Sequence, residues 1–214
     1  MQEARGRSLR EQRRERELAL RRADVLAAAS AVFAEKGFGD AQMGEIAALA
    51  EVSTASLYAT FAGKDELYRE VITTAAAAVR EAVRATVEGV ADPRERLLTA
   101  IDSLFACWER NQALLRIYAR GTHGLPWRIR ESMGEDALRI FQEFSAWIEE
   151  LAADAQRAGY LGGLDPATFA LALVGTASTV SSHWIEVTPE RPLTDAVAPV
   201  RAIFERLLAR RGRA

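Results

Sequence analysis

The chain has 214 residues, 49% of them hydrophobic, and a formal net charge of -2. This is enough apolar material for one large domain or two modest ones, and it excludes both a disordered chain and a uniformly basic nucleic-acid binder. No apolar run approaches the roughly 18–20 residues of a membrane span, and the Arg-rich start has no apolar signal segment behind it. The single cysteine, Cys107, has no partner in the chain for a disulfide. A reducing cytoplasm, with no membrane partner, is therefore expected.

In chain order, residues 1–20 read as a charged extension, with helix possible in its later part. Between Arg5 and Arg22 eight arginines stand against three glutamates, a local charge of 8 − 3 = +5. Such a run fits a solvated tail, and it also fits an arm lying along DNA phosphates or in the minor groove. The first clear helix is expected over 21–36. There Val25, Ala29, Val32 and Phe33 recur at helical spacing, and Gly37 follows as a C-terminal stop. Two short helices are expected over 43–50 and 54–60, the second capped by Ser53. A longer helix begins near Lys64 and ends near Val87, where Gly89 and Asp92-Pro93 break the pattern.

From Pro93 the rhythm of Leu97, Ile101, Leu104 and Phe105 predicts a helix to about Asn111. A short one follows over 113–120, then a loop over 121–126. A long helix is expected from Pro126 to about Ala158, because Met133, Ala137, Ile140, Phe141, Phe144, Ile148, Leu151 and Ala155 keep one i, i+3/i+4 rhythm throughout. Gly159 and Gly162-Gly163 end it. Asp165-Pro166 combines a side-chain cap with a proline that needs no N–H bond, and it starts a helix to about Val187. A last helix lies within 194–211, with Pro199 expected to delay or bend it. The result is an all-α protein of about nine helices without strands. A composition step at 88–93 divides a small N-terminal domain, 21–88, from a larger one, 89–214.

The most informative stretch is QMGEIAALAEVSTASLYATFAGKDELY, residues 42–68. Ile46, Val52 and Leu57 sit where two short helices crossing at a turn must bury side chains, and Ala47 is small where they touch. Two such helices are too short to stand alone. They need the first helix, with Phe33, and the helix after Lys64. The product is a compact three-helix unit with a helix-turn-helix at 42–61 that presents its last short helix outward, as a major-groove reader does. The outward positions, Thr54, Ala55, Ser56, Ala59 and Thr60, are small or hydroxylic. Small side chains admit close backbone approach, and Ala or the Thr methyl can touch a thymine methyl. With no bidentate Arg, Asn or Gln here, shape-dependent readout and phosphate contacts are expected to carry a larger share.

This stretch resembles the TetR family of regulators. The resemblance begins with RRADVLAAASAVFAEKGF at 21–38 and continues through EIAALAEVSTASLYATF at 45–61. It ends on the LY-x-x-F-x-x-K-x-x-L signature, here Leu57, Tyr58, Phe61, Lys64 and Leu67. It implies that Tyr58, Thr60 and Lys64 contact phosphates, while Thr54, Ala55, Ser56 and Ala59 face the groove. Four positions depart from the family pattern. Glu51 replaces a turn glycine, where a left-handed conformation would cost about 1–2 kcal/mol. Gln42-Met43 replaces a hydroxyl cap, Gly44 removes a base-reading side chain, and Ala59 replaces an aromatic or polar group.

The resemblance also implies a C-terminal domain that binds a small effector and dimerises through its last two helices. Phe169, Leu173, Ala177, Val180 and Trp184 line a face of one helix, and Val200, Ile203, Phe204 and Leu207 a face of the other; both sets also suit ordinary core. Two recognition helices about 34–36 Å apart would read two half-sites of a pseudo-palindromic double-stranded operator. Candidate effector contacts are Phe105, Cys107, Trp108, Tyr118, His123, Trp127, Phe144, Trp147, Ser178 and His183. Their aromatic content suggests a hydrophobic or aromatic effector. The expected function is a ligand-responsive repressor acting as a homodimer, with no cofactor.

Two other classes fit the sequence less well. Catalysis is disfavoured, because the sequence has no nucleophile elbow, no phosphate loop and no paired metal-ligand spacing around His123 or His183. A helical interaction protein that has lost operator binding, with Glu51 and Gly44 as its scars, is the other alternative.

Overall fold

The computed structural model describes residues 9–209. The first eight residues of the charged extension, with Arg5 and Arg7, lie outside that range. Among the described residues there are ten α-helices, one 3-10 turn and no strand. The helices are α1 (Leu9–Asp40), α2 (Met43–Leu49), α3 (Thr54–Thr60), α4 (Lys64–Val87), α5 (Pro93–Arg110), α6 (Gln112–Thr122), α7 (Ile129–Met133), α8 (Glu135–Arg157), α9 (Pro166–Val187) and α10 (Thr194–Leu207). The described residues pack as two compact units that divide between Val71 and Ile72. The division falls inside α4, while the composition step at 88–93 coincides with the end of that helix.

The ends of these helices follow local chemistry. Ser53 Oγ accepts from the Ser56 N–H at 3.0 Å and caps α3. Asp92 caps α5 through the Arg94 N–H, with Pro93 in the first turn, and Asp165 caps α9 through the Thr168 N–H, followed by Pro166. Gly37 interrupts α1 at φ 78°, ψ 172°, a conformation open essentially to glycine alone.

Three expectations need correction. The extension is helical from Leu9 and continuous with the first helix, because charged residues of good helix propensity fill it without a breaker. The long helix expected from Pro126 is divided. Pro126–Arg128 form a 3-10 turn, α7 follows, and Gly134, at φ 91°, ψ 175°, separates α7 from α8. Pro199 does not delay α10, which starts at Thr194 and runs through it.

The first unit is built on the buried faces of α1, α2 and α3 and the start of α4. Phe33, Ile46, Ala47, Leu57, Phe61 and Leu67 are all fully buried, whereas Val52 is half-buried. Phe33 and Phe38 pack against Tyr68, at ring centroid distances of 5.0 and 4.8 Å. Arg22 spreads over the Phe61 ring, 4.5 Å from its centroid, and pairs with Glu70. In the second unit α8 lies along α9, α6 along α9, and α10 along α5. Its core holds Leu97, Leu98, Ile101, Phe105, Ile148, Phe169 and Phe204, with the Phe169 and Phe204 rings edge to face at 5.4 Å.

Candidate DNA interface and effector pocket

The exposed edge of α3 is the candidate site of the first unit. Leu57 turns inward and is 1% exposed, anchoring the helix. Thr54, Ala55, Ser56, Tyr58, Ala59 and Thr60 are all exposed, Tyr58 to 52%. The division is helical geometry: one large apolar side chain per two turns, with small residues around it, leaves the rest of the cylinder uncovered. The Thr60 hydroxyl donates to the Ser56 carbonyl at 3.0 Å, so it must rotate before it can donate elsewhere.

Lys64 sits apart from these six. Its ammonium donates to the carbonyls of Gly39 and Ala41, both at 3.0 Å, and lies 4.7 Å from the centre of the Phe38 ring. It ties the start of α4 to the last turn of α1 and to the residue that follows it, and one of its three N–H groups remains for a further partner. Glu66 accepts from the Ala62 N–H at 2.5 Å and closes the same turn. On the neighbouring surface Lys36 and Glu45 pair at 2.6 Å, and that pairing raises the lysine's pKa and lowers the glutamate's.

The turn before α3 is strained. Glu51 has φ 55°, in the left-handed region. Its N–H donates to Ala48 O at 3.2 Å and the Val52 N–H donates to Ala47 O at 2.9 Å, the paired bonds that close a helix through a left-handed residue. The departure from glycine at this position therefore carries a conformational cost.

The second unit holds a cleft of about 120 Å³. Ile72, Ala76 and Val79 of α4 line it, with Leu104 and Trp108 of α5 and Leu114, Leu115 and Tyr118 of α6. Ile129 and Met133 come from α7, Ala137, Ile140, Phe141 and Phe144 from α8, and Val174, Ala177 and Ser178 from α9. The wall is almost wholly hydrocarbon. Arg80, at the edge, is paired with Glu81 and Glu143. Asn111 Nδ2 donates to Cys107 O at 2.7 Å.

Of the sequence-based effector contacts, Trp108, Tyr118, Phe144 and Ser178 meet in this cleft. The other six do not. Phe105 and Cys107 are buried on a different face of α5 from Leu104 and Trp108, and Arg110 Nη2 donates to the Cys107 sulfur at 3.3 Å. Trp147 lies one turn too far along α8, under the Arg84 guanidinium at 5.3 Å. His123, Trp127 and His183 are exposed, Trp127 to 75%. The residues that sequence reasoning passed over are mainly aliphatic, among them Ile72, Ala76 and Val79 on α4 and Ile140 on α8, with the aromatic Phe141 beside Ile140. Their signal was the unbroken apolar rhythm of those two helices.

The α9–α10 faces need a similar correction. Phe169, Leu173, Trp184, Val200 and Phe204 are buried in the subunit's own core, and Ala177 lines the cleft, so none of these six offers surface to a second chain. Trp184 Nε1 donates to Arg191 O at 2.5 Å, and Glu109 accepts from the Leu193 N–H at 2.9 Å, which together fix the connection from α9 to α10. Val180 is half-buried, while Ile203 and Leu207 are exposed. Leu171 at 76% and Val187 at 59%, which sequence reasoning left out, are also exposed.

Residues 25–71 match the model of the bacterial regulatory proteins of the tetR family. The DNA-binding segment of the chain, residues 25–71, is therefore of the TetR type. Among curated TetR-type relatives, the transcriptional activator FasR of Mycolicibacterium smegmatis is 40% identical over 89 residues, which is 40% of this chain and 39% of FasR. The transcriptional repressor KstR2 of Mycobacterium tuberculosis is 29% identical over 174 residues, 81% of this chain and 84% of KstR2. The structure of KstR2, described as a ketosteroid transcriptional regulator, superposes with a TM-score of 0.68 over 88% of this chain and 93% of that one, at 25% identity. FadR of Bacillus subtilis, solved in complex with stearoyl-CoA, gives a TM-score of 0.71 over 87% of this chain and 97% of that one, at 19% identity. The latter likeness is one of fold.

Proposed function

We propose that this chain is a TetR-family regulator, a cytoplasmic, ligand-responsive repressor and not an enzyme. Two subunits would grip a pseudo-palindromic double-stranded operator, each through α3, and a small apolar effector in the cleft of the second unit would release it. The functional division is then residues 21–88 for DNA and 89–214 for effector and partner, with α4 supplying part of the cleft wall. The observation that carries the DNA reading is the set of six exposed, small or hydroxylic residues on α3, held outward by the buried Leu57. The likeness to KstR2, which extends through most of both chains, favours repression. The hydrocarbon wall of the cleft favours an apolar effector, and the likeness to KstR2, a ketosteroid transcriptional regulator, is consistent with it.

Thr54, Ala55, Ser56 and Ala59 are assigned to the groove, Tyr58 and Thr60 to phosphates, and Lys64 to a phosphate through its remaining N–H. The test is fluorescence anisotropy on a labelled duplex from immediately upstream of the chain's own gene, titrated with salt. Affinity should fall steeply with salt, because each neutralised phosphate releases counterions. Tyr58→Phe should weaken binding by about 0.5–1.5 kcal/mol, the net worth of one hydrogen bond, at an unchanged melting temperature. Affinity indifferent to salt, or unaltered in Tyr58→Phe together with Thr54→Ala, would remove α3 as the reading element.

A further inference from the structure

The start of α1 carries its arginines on one side. Every residue from Arg10 to Arg21 is exposed, Leu18 and Leu20 to 57% and 59%, so no other element among the described residues covers this length of helix. With about 3.6 residues per turn, positions i, i+3, i+4 and i+11 share one face. Arg10, Arg13, Arg14 and Arg21 occupy those positions. Glu17, at i+7, is the one acid among them, which leaves the stripe at 4 − 1 = +3. Glu11 and Glu15 fall on the other side of the helix, Arg16 lies off the stripe, and Asp24, one turn beyond Arg21, closes it. Leu18 and Leu20, two positions apart, lie on opposite sides and form no apolar seam for a partner helix.

The root of this rod is fixed beside α3. Arg22 donates through Nε to Glu70 Oε1 at 2.6 Å, and its guanidinium lies 4.5 Å from the centre of the ring of Phe61, the residue that caps the C-terminal end of α3. From there the helix is continuous back to Leu9, since its one non-helical residue is Gly37. Twelve residues separate Arg22 from Arg10, which at about 1.5 Å each is a reach of about 18 Å, the length of roughly five base pairs of duplex. An α-helix with its side chains is about 10–12 Å across and the minor groove only about 6 Å wide, so this length does not suit a minor-groove arm. A row of guanidinium groups on a rigid rod suits the phosphate backbone instead.

We propose that Arg10, Arg13, Arg14 and Arg21 bind phosphates of the duplex that flanks the segment read by α3, so that each subunit grips about five base pairs beyond its half-site. The proposal rests on the reading of α3 as the element that meets DNA. Contacts of this kind add affinity and salt dependence and carry no base preference of their own.

The test compares the wild type with the quadruple variant Arg10→Gln, Arg13→Gln, Arg14→Gln, Arg21→Gln, which keeps good helix formers at exposed positions. Arg16→Gln, off the stripe, is the control. Binding to a labelled duplex from upstream of the chain's own gene is followed by fluorescence anisotropy across a salt series. The quadruple variant should bind at least tenfold more weakly at low salt, and the slope of log affinity against log salt should become shallower by about 2 or more, because each phosphate contact contributes about 0.9 and a dimer has two stripes. Arg16→Gln should leave the slope where it was. A base change inside the bound sequence should weaken the wild type and the quadruple variant by the same factor. An unaltered slope in the quadruple variant, an equal change in Arg16→Gln, or a quadruple variant that no longer discriminates between bases overturns the phosphate stripe while leaving α3 as the reading element. A wild-type chain whose binding ignores salt overturns the α3 reading as well.

Discussion

At position 51 a glutamate holds φ 55°, a conformation that its Cβ resists and glycine does not. The side chain is exposed and the turn's two closing bonds are made by backbone alone, so nothing in the fold depends on the carboxylate. Glu51→Gly should therefore raise stability to urea by about 1 kcal/mol, the relief of strain less the entropy glycine adds to the unfolded chain. An unchanged or lower midpoint would show that the turn is not strained. The sequence announced this residue, because family likeness marks the position where a glycine is missing. It did not announce the engagement of Lys64, whose two carbonyl partners lie more than twenty residues away in the chain. Tyr68 shows the converse, a residue whose chemistry is set entirely by its neighbours. Burial against Phe33 and Phe38 raises its pKa above the ordinary 10.0. The unfolded chain ionises first, so the stabilisation is complete below about pH 10 and is lost as pH rises toward the folded value. Tyr68→Phe should flatten the loss of stability above pH 10 in an alkaline melting series; a fall as steep as the wild type's would assign it elsewhere.

At the scale of elements, legibility followed the range of the forces. Ser53, Asp92 and Asp165 start helices by hydrogen bonds within three residues, and the sequence showed the Ser53 and Asp165 caps and marked Asp92-Pro93 as a break. Gly134 was hidden because the apolar rhythm runs straight across it: Met133 and Ala137 are both 5% exposed, on opposite sides of the break. The missed signal was the acidic pair Glu135-Asp136, which suits the first turn of a new helix. Gly134 sits at φ 91°, ψ 175°, a region open essentially to glycine. Gly134→Ala should lower stability by about 1–3 kcal/mol and loosen Ile129 and Met133, the contribution of α7 to the cleft. A variant as stable as the wild type would contradict that role. The cleft itself was only half legible. Aromatic residues were chosen by type, but a wall is chosen by face, and the face of α8 that includes Ile140 and Phe141 is fixed by its packing against α9.

The whole molecule repeats that distinction at its surface. The largest apolar residues of α9 and α10 were natural candidates for a subunit interface, yet the subunit consumes them first: Phe169 and Phe204 are 0% and 1% exposed, packed on each other. A partner can meet only what the core leaves over, and what it leaves is Leu171 at 76%, Val187 at 59%, Ile203 at 53% and Leu207 at 38%. Scattered exposed apolar residues are ordinary, but four on two successive helices, with Ala172 and Gly175 allowing close approach, suit a helical dimer face. The two classes of residue predict different failures. Phe204→Ala should destabilise the chain by about 3–5 kcal/mol through the cavity it opens. Leu171→Asp with Ile203→Asp should leave each subunit's core intact and convert a dimer to a monomer in sedimentation-equilibrium runs. The same double variant should lose operator affinity by at least tenfold, since one α3 reads only one half-site. A wild-type chain that sediments as a monomer at micromolar concentration, or a double variant that still dimerises, would show that α9 and α10 do not form the interface.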